Sequence, residues 1–224
     1  NKMIADDCDG IITGLYEYDV CYRPNFPQKT TFIPLPASTN LPQPGETFST
    51  EAPGDAITPS WGRQEGALLQ LFIGISRGRS VYKGTDIMLQ AAQAVKAKYP
   101  DRLELVVAEG LPFSKYQQKM MGSDVIMDQL YAYTPAMNAL LAMSKGIVVI
   151  GGGEPENYDI LGEHELRPII NVQPAYESVY EQLEQLVLHP ERLPLLKRQS
   201  LEYVRKHHDY LKVARQYENL YNQL

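Results

Sequence analysis

The chain has 224 residues, 44% of them hydrophobic and 21% charged, which is ordinary for a globular protein and suits one large domain or one domain plus a piece of another. A net charge of −6 argues against generic nucleic-acid binding. No stretch approaches the roughly 18 apolar residues of a membrane span, and no signal peptide is visible.

Two cysteines, Cys8 and Cys21, are too few for a disulfide framework. They point to a reduced, cytoplasmic setting, although spacing leaves a bond between them open. The first residues, NKMIADDCDG, lack Met at position 1 and read as the start of a fragment or a processed product.

Residues 1–40 carry short strand signals at 11–12 and 30–33, and their prolines argue against a long helix. The segment is too small to bury its own core, so it reads as the end of an incomplete N-terminal domain. Residues 41–66 are rich in Pro, Gly and polar residues and read as a linker or long loop, with Trp61 pinning it to a surface.

From residue 67 to 224 the pattern becomes an alternation of strands and helices. LLQLFIGI (68–75) is a buried-strand run. In the helix that follows, Ile87, Ala91 and Val95 share a face with Met88 and Ala92 beside them; Thr85 or Asp86 caps its start and Pro100 follows its end. Further strands are expected at 103–110, 124–130, 146–153 and 167–172. Residues 134–146 predict a helix with Thr134 at its cap, Pro135 in its first turn and Gly146 past its end. Residues 176–224 predict helices broken near Pro190, Pro194 and Asp209.

Such alternation predicts an α/β fold, a Rossmann-like doubly wound parallel sheet with C-terminal helices. Its ligands bind beyond the carboxyl ends of the strands. The loops at 76–85, 108–113 and 151–157 then share one rim. The first holds Arg77, Arg79 and Lys83 before a helix N-terminus, with Gly74, Gly78 and Gly84 permitting close backbone approach. This is anion-binding chemistry, though a solvated basic loop has the same composition. GRSVYKGT resembles a P-loop with Lys83 and Gly84 transposed, and no Walker-B acid accompanies it. The second loop offers Glu109 and Gly110 to a base or ribose, or is a plain turn. The third offers backbone N–H groups at Gly152 and Gly153 and acceptors at Glu154 and Glu156, or is a surface loop.

No metal site is expected. Asp6, Asp7 and Asp9 read as a solvated turn; His207 and His208 have no ligand partners at metal spacing, and His164 and His189 are isolated. No Ser/His/Asp or Cys/His set can be assembled.

Together, LFIGISRGRSVYKGTDIMLQAAQAV, LELVVAEGLP, DVIMDQLYAYTPAMNALLAMSKGIVVIGGGEPE and the tail from RPIINV onward resemble the C-terminal donor-binding domain of GT-B glycosyltransferases of the family 4 type. The resemblance covers about residues 66–222, and residues 1–40 resemble the end of the family's N-terminal domain. It implies transfer of a sugar from a nucleotide-diphosphate sugar to a saccharide or glycoconjugate acceptor, in polysaccharide or glycoconjugate synthesis. It implies no cofactor and no metal. Membrane contact, if any, would be peripheral and through the missing domain, and this fragment alone is expected to be inactive.

In the family's G-R-x-x-x-x-K-G loop an Arg and a Lys bind the donor diphosphate. Lys83 and Gly84 match the K-G. Arg79 is one residue too close and Arg77 one too far, with Arg79 preferred. Pro155–Glu156 match the Pro-Glu of the family's glycine turn. The two glutamates of its E-x7-E motif fall on Tyr133 and Leu141, so both carboxylates are missing. Either donor recognition is rebuilt, through Glu154 or Glu156, or the donor site has decayed. The rival expectations are a non-catalytic glycosyltransferase-like binding module and a sugar-nucleotide epimerase. A dinucleotide dehydrogenase is disfavoured because no G-x-G-x-x-G follows the first strand.

Overall fold

A computed structural model describes residues 2–39, 67–76 and 78–224. The expected linker at 41–66, Trp61 within it, and Arg77 lie outside the described residues.

The N-terminal segment contains α1 (Lys2–Asp7), β1 (Ile11–Thr13), α2 (Tyr16–Tyr22) and β2 (Thr30–Phe32). β1 and β2 pair in parallel, Ile11 opposite Thr30. The two helices were not foreseen; they fit because Pro24 and Pro27 follow α2 instead of interrupting it. Buried Asp19 on α2 ties the segment together. It accepts from Thr13 Oγ1 at 2.6 Å and from Arg23 Nε at 2.6 Å, while Arg23 Nη1 donates to the Thr30 carbonyl at 3.1 Å. Cys8 and Cys21 are both free thiols.

The larger part runs β3 (Leu69–Ile75), α3 (Ser80–Lys83), α4 (Thr85–Lys98), β4 (Leu103–Glu109), α5 (Phe113–Met121), β5 (Val125–Met127), α6 (Met137–Met143), β6 (Val148–Gly151), α7 (Pro155–Leu161), β7 (Ile169–Asn171) and α8 (Tyr176–Leu188). A 3-10 turn at Pro190–Arg192, α9 (Leu193–His207) and α10 (Tyr210–Tyr221) close the chain. The five strands from β3 onward are all parallel, in the order β4-β3-β5-β6-β7.

Helices cover both faces, as right-handed crossovers require. Met88, Ala91, Ala92 and Val95 of α4 pack with Val179, Leu183 and Leu186 of α8 over one face. Met120 of α5, Leu140 and Met143 of α6, Tyr158 of α7 and Tyr203 of α9 pack over the other. Phe72, fully buried between, contributes about 1.5–3 kcal/mol through its burial alone.

Several expected boundaries are corrected. Neither Thr85 nor Asp86 caps α4: its N-cap is Gly84, and the Thr85 hydroxyl bonds Ser80 Oγ at 2.8 Å. The strand expected over 124–130 stops at Met127, beyond which the chain turns across the rim. The helix expected from Thr134 begins at Met137, because the Thr134 hydroxyl is committed elsewhere. Residues 155–161 form a helix instead of continuing the glycine loop, with Pro155 in its first turn and Gly162 at φ 63 closing it. Pro194 does not break the C-terminal helices; it sits in the first turn of α9, where a missing N–H costs nothing. The breaks at Pro190 and Asp209 fall as expected, and Asp209 caps α10 by accepting from the N–H groups of Leu211 and Lys212, each at 3.1 Å.

Candidate functional site

The strand order fixes where a ligand fits. From β3 the chain crosses one way to β4, then returns past β3 to β5, so the connections leave β3 and β5 in opposite directions. The crevice between their carboxyl ends is the switch point of the sheet. A cavity of about 420 Å³ lies there, lined by Gly74, Ile75 and Ser76 at the end of β3, Ala108, Gly110 and Leu111 at the end of β4, and Phe113 and Tyr116 from α5. Lys83, Asp128 and Asn138 complete its lining.

Glycines shape the opening. Gly84 has φ 71, and a Cβ there would meet Leu130 at 2.8 Å, so α3 turns into α4 with its last carbonyl, that of Lys83, accepting from Leu130 N at 2.9 Å. That bond stitches the basic loop to the chain leaving β5. At Gly74 a Cβ would fall 2.5 Å from the Tyr116 hydroxyl oxygen and 2.6 Å from its ring, so the absence of a side chain lets the ring lie across the strand end.

The polar floor is a short hydrogen-bonded chain. The Tyr116 hydroxyl donates to Asn138 Oδ1 at 3.0 Å, and Asn138 Nδ2 donates to Asp128 Oδ1 at 2.9 Å. Asp128 is buried at 5% exposure. Burial pushes its carboxyl above the ordinary range, while the bond from Asn138 and the charge of Lys83 act in the opposite direction. Burial likewise pushes the Tyr116 hydroxyl up to about 12, so it is a neutral donor.

Of the residues singled out from the sequence, Lys83 and Gly110, at φ 62, line this cavity. Glu109 ends β4 with its side chain exposed. Arg79 is exposed, its guanidinium 5.6 Å from the Tyr82 ring centre. Gly152 and Gly153 are buried beyond β6; a Cβ on Gly152 would fall 1.8 Å from the Ala132 carbonyl oxygen, and Gly153 N donates to Asn171 Oδ1 at 3.0 Å. Glu154 accepts from Gln173 Nε2 at 2.9 Å, and Glu156 sits in the first turn of α7. The cavity lining thus holds neither Glu154 nor Glu156.

Sequence reasoning missed Asp128, Asn138, Tyr116 and Phe113. Asp128 had a signal, an acid inside an otherwise apolar strand run; the others have none that local pattern reveals.

The two positions of the missing glutamates differ in surroundings. Leu141 is half-buried against the apolar layer of α5, α6 and α9. Tyr133 is 46% exposed and packs on Tyr16 of α2, ring centres 5.3 Å apart. A carboxylate does reach this rim, from another element. Glu17 of α2 accepts from the N–H groups of Tyr133 at 2.5 Å and Thr134 at 3.1 Å, and from the Thr134 hydroxyl at 2.6 Å. Replacing it by alanine strands three donors, two of them on buried Thr134. Glu17→Ala is expected to lower the unfolding free energy by about 1–3 kcal/mol, and Glu17→Gln by less, as measured by urea unfolding.

Among the described residues, no three His, Cys, Asp or Glu side chains cluster as a metal site, and no helix is long and apolar enough to cross a membrane.

No family model and no curated protein matches the sequence. Solved structures do match. Anabaena HepE in complex with UDP-glucose aligns with a TM-score of 0.69 at 13% identity, over 100% of this chain and 66% of its own. Sucrose-phosphate synthase from Thermosynechococcus elongatus aligns with 0.68 at 15% identity, over 99% and 60%. A variant of S. aureus TarM, in complex with Fondaparinux, alpha-GlcNAc-glycerol and UDP, aligns with 0.65 at 10%, over 98% and 45%. The chain therefore spans from about half to two thirds of the length of these proteins. At such identities the likeness is one of fold, and the five-stranded parallel sheet with its helices matches a Rossmann-like half of the GT-B fold.

Proposed function

We propose that the chain carries the nucleotide-sugar-binding part of a glycosyltransferase that moves a sugar from a nucleotide-diphosphate sugar to a saccharide or glycoconjugate acceptor, in polysaccharide or glycoconjugate synthesis in the cytoplasm. The observation that carries this reading is the cavity at the β3–β5 switch point, with Lys83 on one side and the exposed ring of Phe113 on the other. In it a flat base rests on apolar surface while the diphosphate lies against the Lys83 ammonium. Arg79, or Arg77, adds a second cation from the same loop. As the glycosidic bond to phosphate breaks, negative charge grows on the departing nucleoside diphosphate, and fixed cations stabilise that charge more than the ground state. This assignment needs no metal. HepE and TarM were solved with UDP-glucose and UDP respectively, which makes UDP the first probe.

Calorimetric titration with UDP, GDP and ADP tests the reading. One of them is expected to bind, and Lys83→Ala to weaken it about 10- to 100-fold, the loss of one or two charge-assisted hydrogen bonds. Binding by none of the three, or unchanged affinity in the variant, overturns it. A second reading, a non-catalytic binding module, is favoured by the absence of carboxylates at Tyr133 and Leu141. It predicts nucleotide binding with no donor hydrolysis or sugar transfer by the full-length protein.

A further inference from the structure

The cavity has a direction. On the β4 side its walls are apolar, from Ala108, Leu111 and Phe113, the last 65% exposed with its ring uncovered. On the β5 side stand Lys83, Asp128 and Asn138. The hydrogen bonds on that side also have a direction. Tyr116 O–H donates to the Asn138 carbonyl oxygen, which turns the Asn138 amide so that its NH2 donates to Asp128. The chain ends on a buried carboxylate, an acceptor with capacity beyond the one bond from Asn138.

A ligand that fills this cavity must bring donors to Asp128, since a second anion there would face a buried carboxylate. Phosphate oxygens are excluded from that spot and belong to Lys83. The flat apolar part of the ligand belongs to the β4 side. On a nucleoside diphosphate, the donors lying between base and phosphate are the ribose hydroxyls. We infer that Asp128 is the ribose-binding residue of this site, accepting hydrogen bonds from the 2′- and 3′-hydroxyls, with Asn138 and Tyr116 as positioning residues that hold its carboxylate. The inference rests on the nucleotide reading above. It also supplies an acceptor that Leu141, three residues on from Asn138 along α6, does not offer.

The test compares UDP with 2′-deoxy-UDP and 3′-deoxy-UDP by calorimetry on the chain as it stands. At least one deoxy form is expected to bind about tenfold or more weakly than UDP, because a hydrogen bond to a buried carboxyl oxygen is lost. In Asp128→Asn that ratio falls to about threefold or less, since the amide replaces one carboxyl oxygen by a donor and leaves the hydroxyl a weaker acceptor. Tyr116→Phe, which frees the Asn138 amide to flip, lowers the ratio to an intermediate value and serves if the first variant does not fold. A merely structural role for Asp128 would weaken UDP and its deoxy forms alike and leave the ratio unchanged. Equal binding of all three by the wild type, or a ratio that survives Asp128→Asn, overturns the inference while leaving the nucleotide site standing. Failure of UDP, GDP and ADP alike to bind overturns the nucleotide reading itself, and the inference with it.

Discussion

Replacing Lys197 by alanine is expected to destabilise the fold by about 3–5 kcal/mol, a large share of the total stability of a typical domain. Lys197 on α9 and Asp124, just before β5, are each 8% exposed in their side chains and meet at 2.7 Å. The other oxygen of Asp124 accepts from Gln70 N at 3.0 Å, so one carboxylate fastens α9, β5 and the start of β3. Removing the lysine leaves that carboxylate buried without its countercharge. The pair itself is worth much less than this penalty, because both charges gave up hydration to form it. The two statements separate experimentally. Lys197→Met combined with Asp124→Asn keeps an acceptor for Gln70 N and removes both charges. It is expected to recover much of the loss seen in Lys197→Ala, read from urea midpoints at constant slope. Equal loss in the single and double variants would mean that packing, and not stranded charge, sets the cost.

How far such features can be read from sequence depends on how local they are. β3 and β4 were legible nearly to the residue because seven-residue strands pair along their whole length. β5 pairs with β3 and β6 through only three residues, so its apolar run overstates the strand. Just past Met127 the Asp128 backbone still bonds to the Ile150 carbonyl at 3.2 Å, but its side chain is held by Asn138, a contact that no short window of sequence shows. At α7 the signs were present, Pro155 and Gly162 at the two ends, but the preceding glycines made a loop the natural expectation. In the candidate site the basic loop was legible, being one run of sequence. The polar floor was not. Tyr116 and Asn138 are 22 residues apart and Asn138 and Asp128 are 10 apart, and only the sheet order brings them together. Glu17 is further still, reaching a backbone N–H 116 residues away. A conformational preference can be seen in a short window of residues; a hydrogen bond between distant elements has no such trace.

Acidification is expected to cost about 3 kcal/mol of stability between pH 6.5 and pH 4 through His208 alone. The ring is 4% exposed. Its Nδ1 donates to the Leu35 carbonyl at 2.8 Å, while Nε2 is buried with no partner among the described residues. Burial pushes its pKa down to about 4; the bond to Leu35 acts in the opposite direction and the neighbouring His207 reinforces the drop. In the unfolded chain the ring takes up its proton near pH 6.5, and in the folded chain not until about pH 4. The stabilisation is therefore complete above pH 6.5, falls as pH drops, and is gone below pH 4. Glu163 acts lower: burial raises its carboxyl, but bonds from His207 and Lys206 outweigh burial and hold it far below the usual range, so its stabilisation begins to fail only under about pH 4.5. In the window from pH 6.5 to 4.5 Glu163 is silent, and Asp128, whose carboxyl pKa is raised by burial, acts in the opposite direction to His208, so the fall in stability is carried by His208 and is isolated by comparison with a variant that lacks the ring. In space, His208 sits where α9 gives way to α10, and that break grips the segment after β2: Ala37 N donates to the His208 carbonyl at 2.6 Å and Tyr210 N to the Ala37 carbonyl at 3.2 Å. Asp209 adds a side-chain bond from Thr39. Loss of the neutral ring loosens the fastening of the N-terminal segment to the C-terminal helices. Urea unfolding of the wild type from pH 7 to 4.5 is expected to show a steep fall. In His208→Gln, which keeps a donor for the Leu35 carbonyl and cannot titrate, the curve is expected to be flatter across that window; an identical slope in the two proteins would show that other groups carry the acid sensitivity.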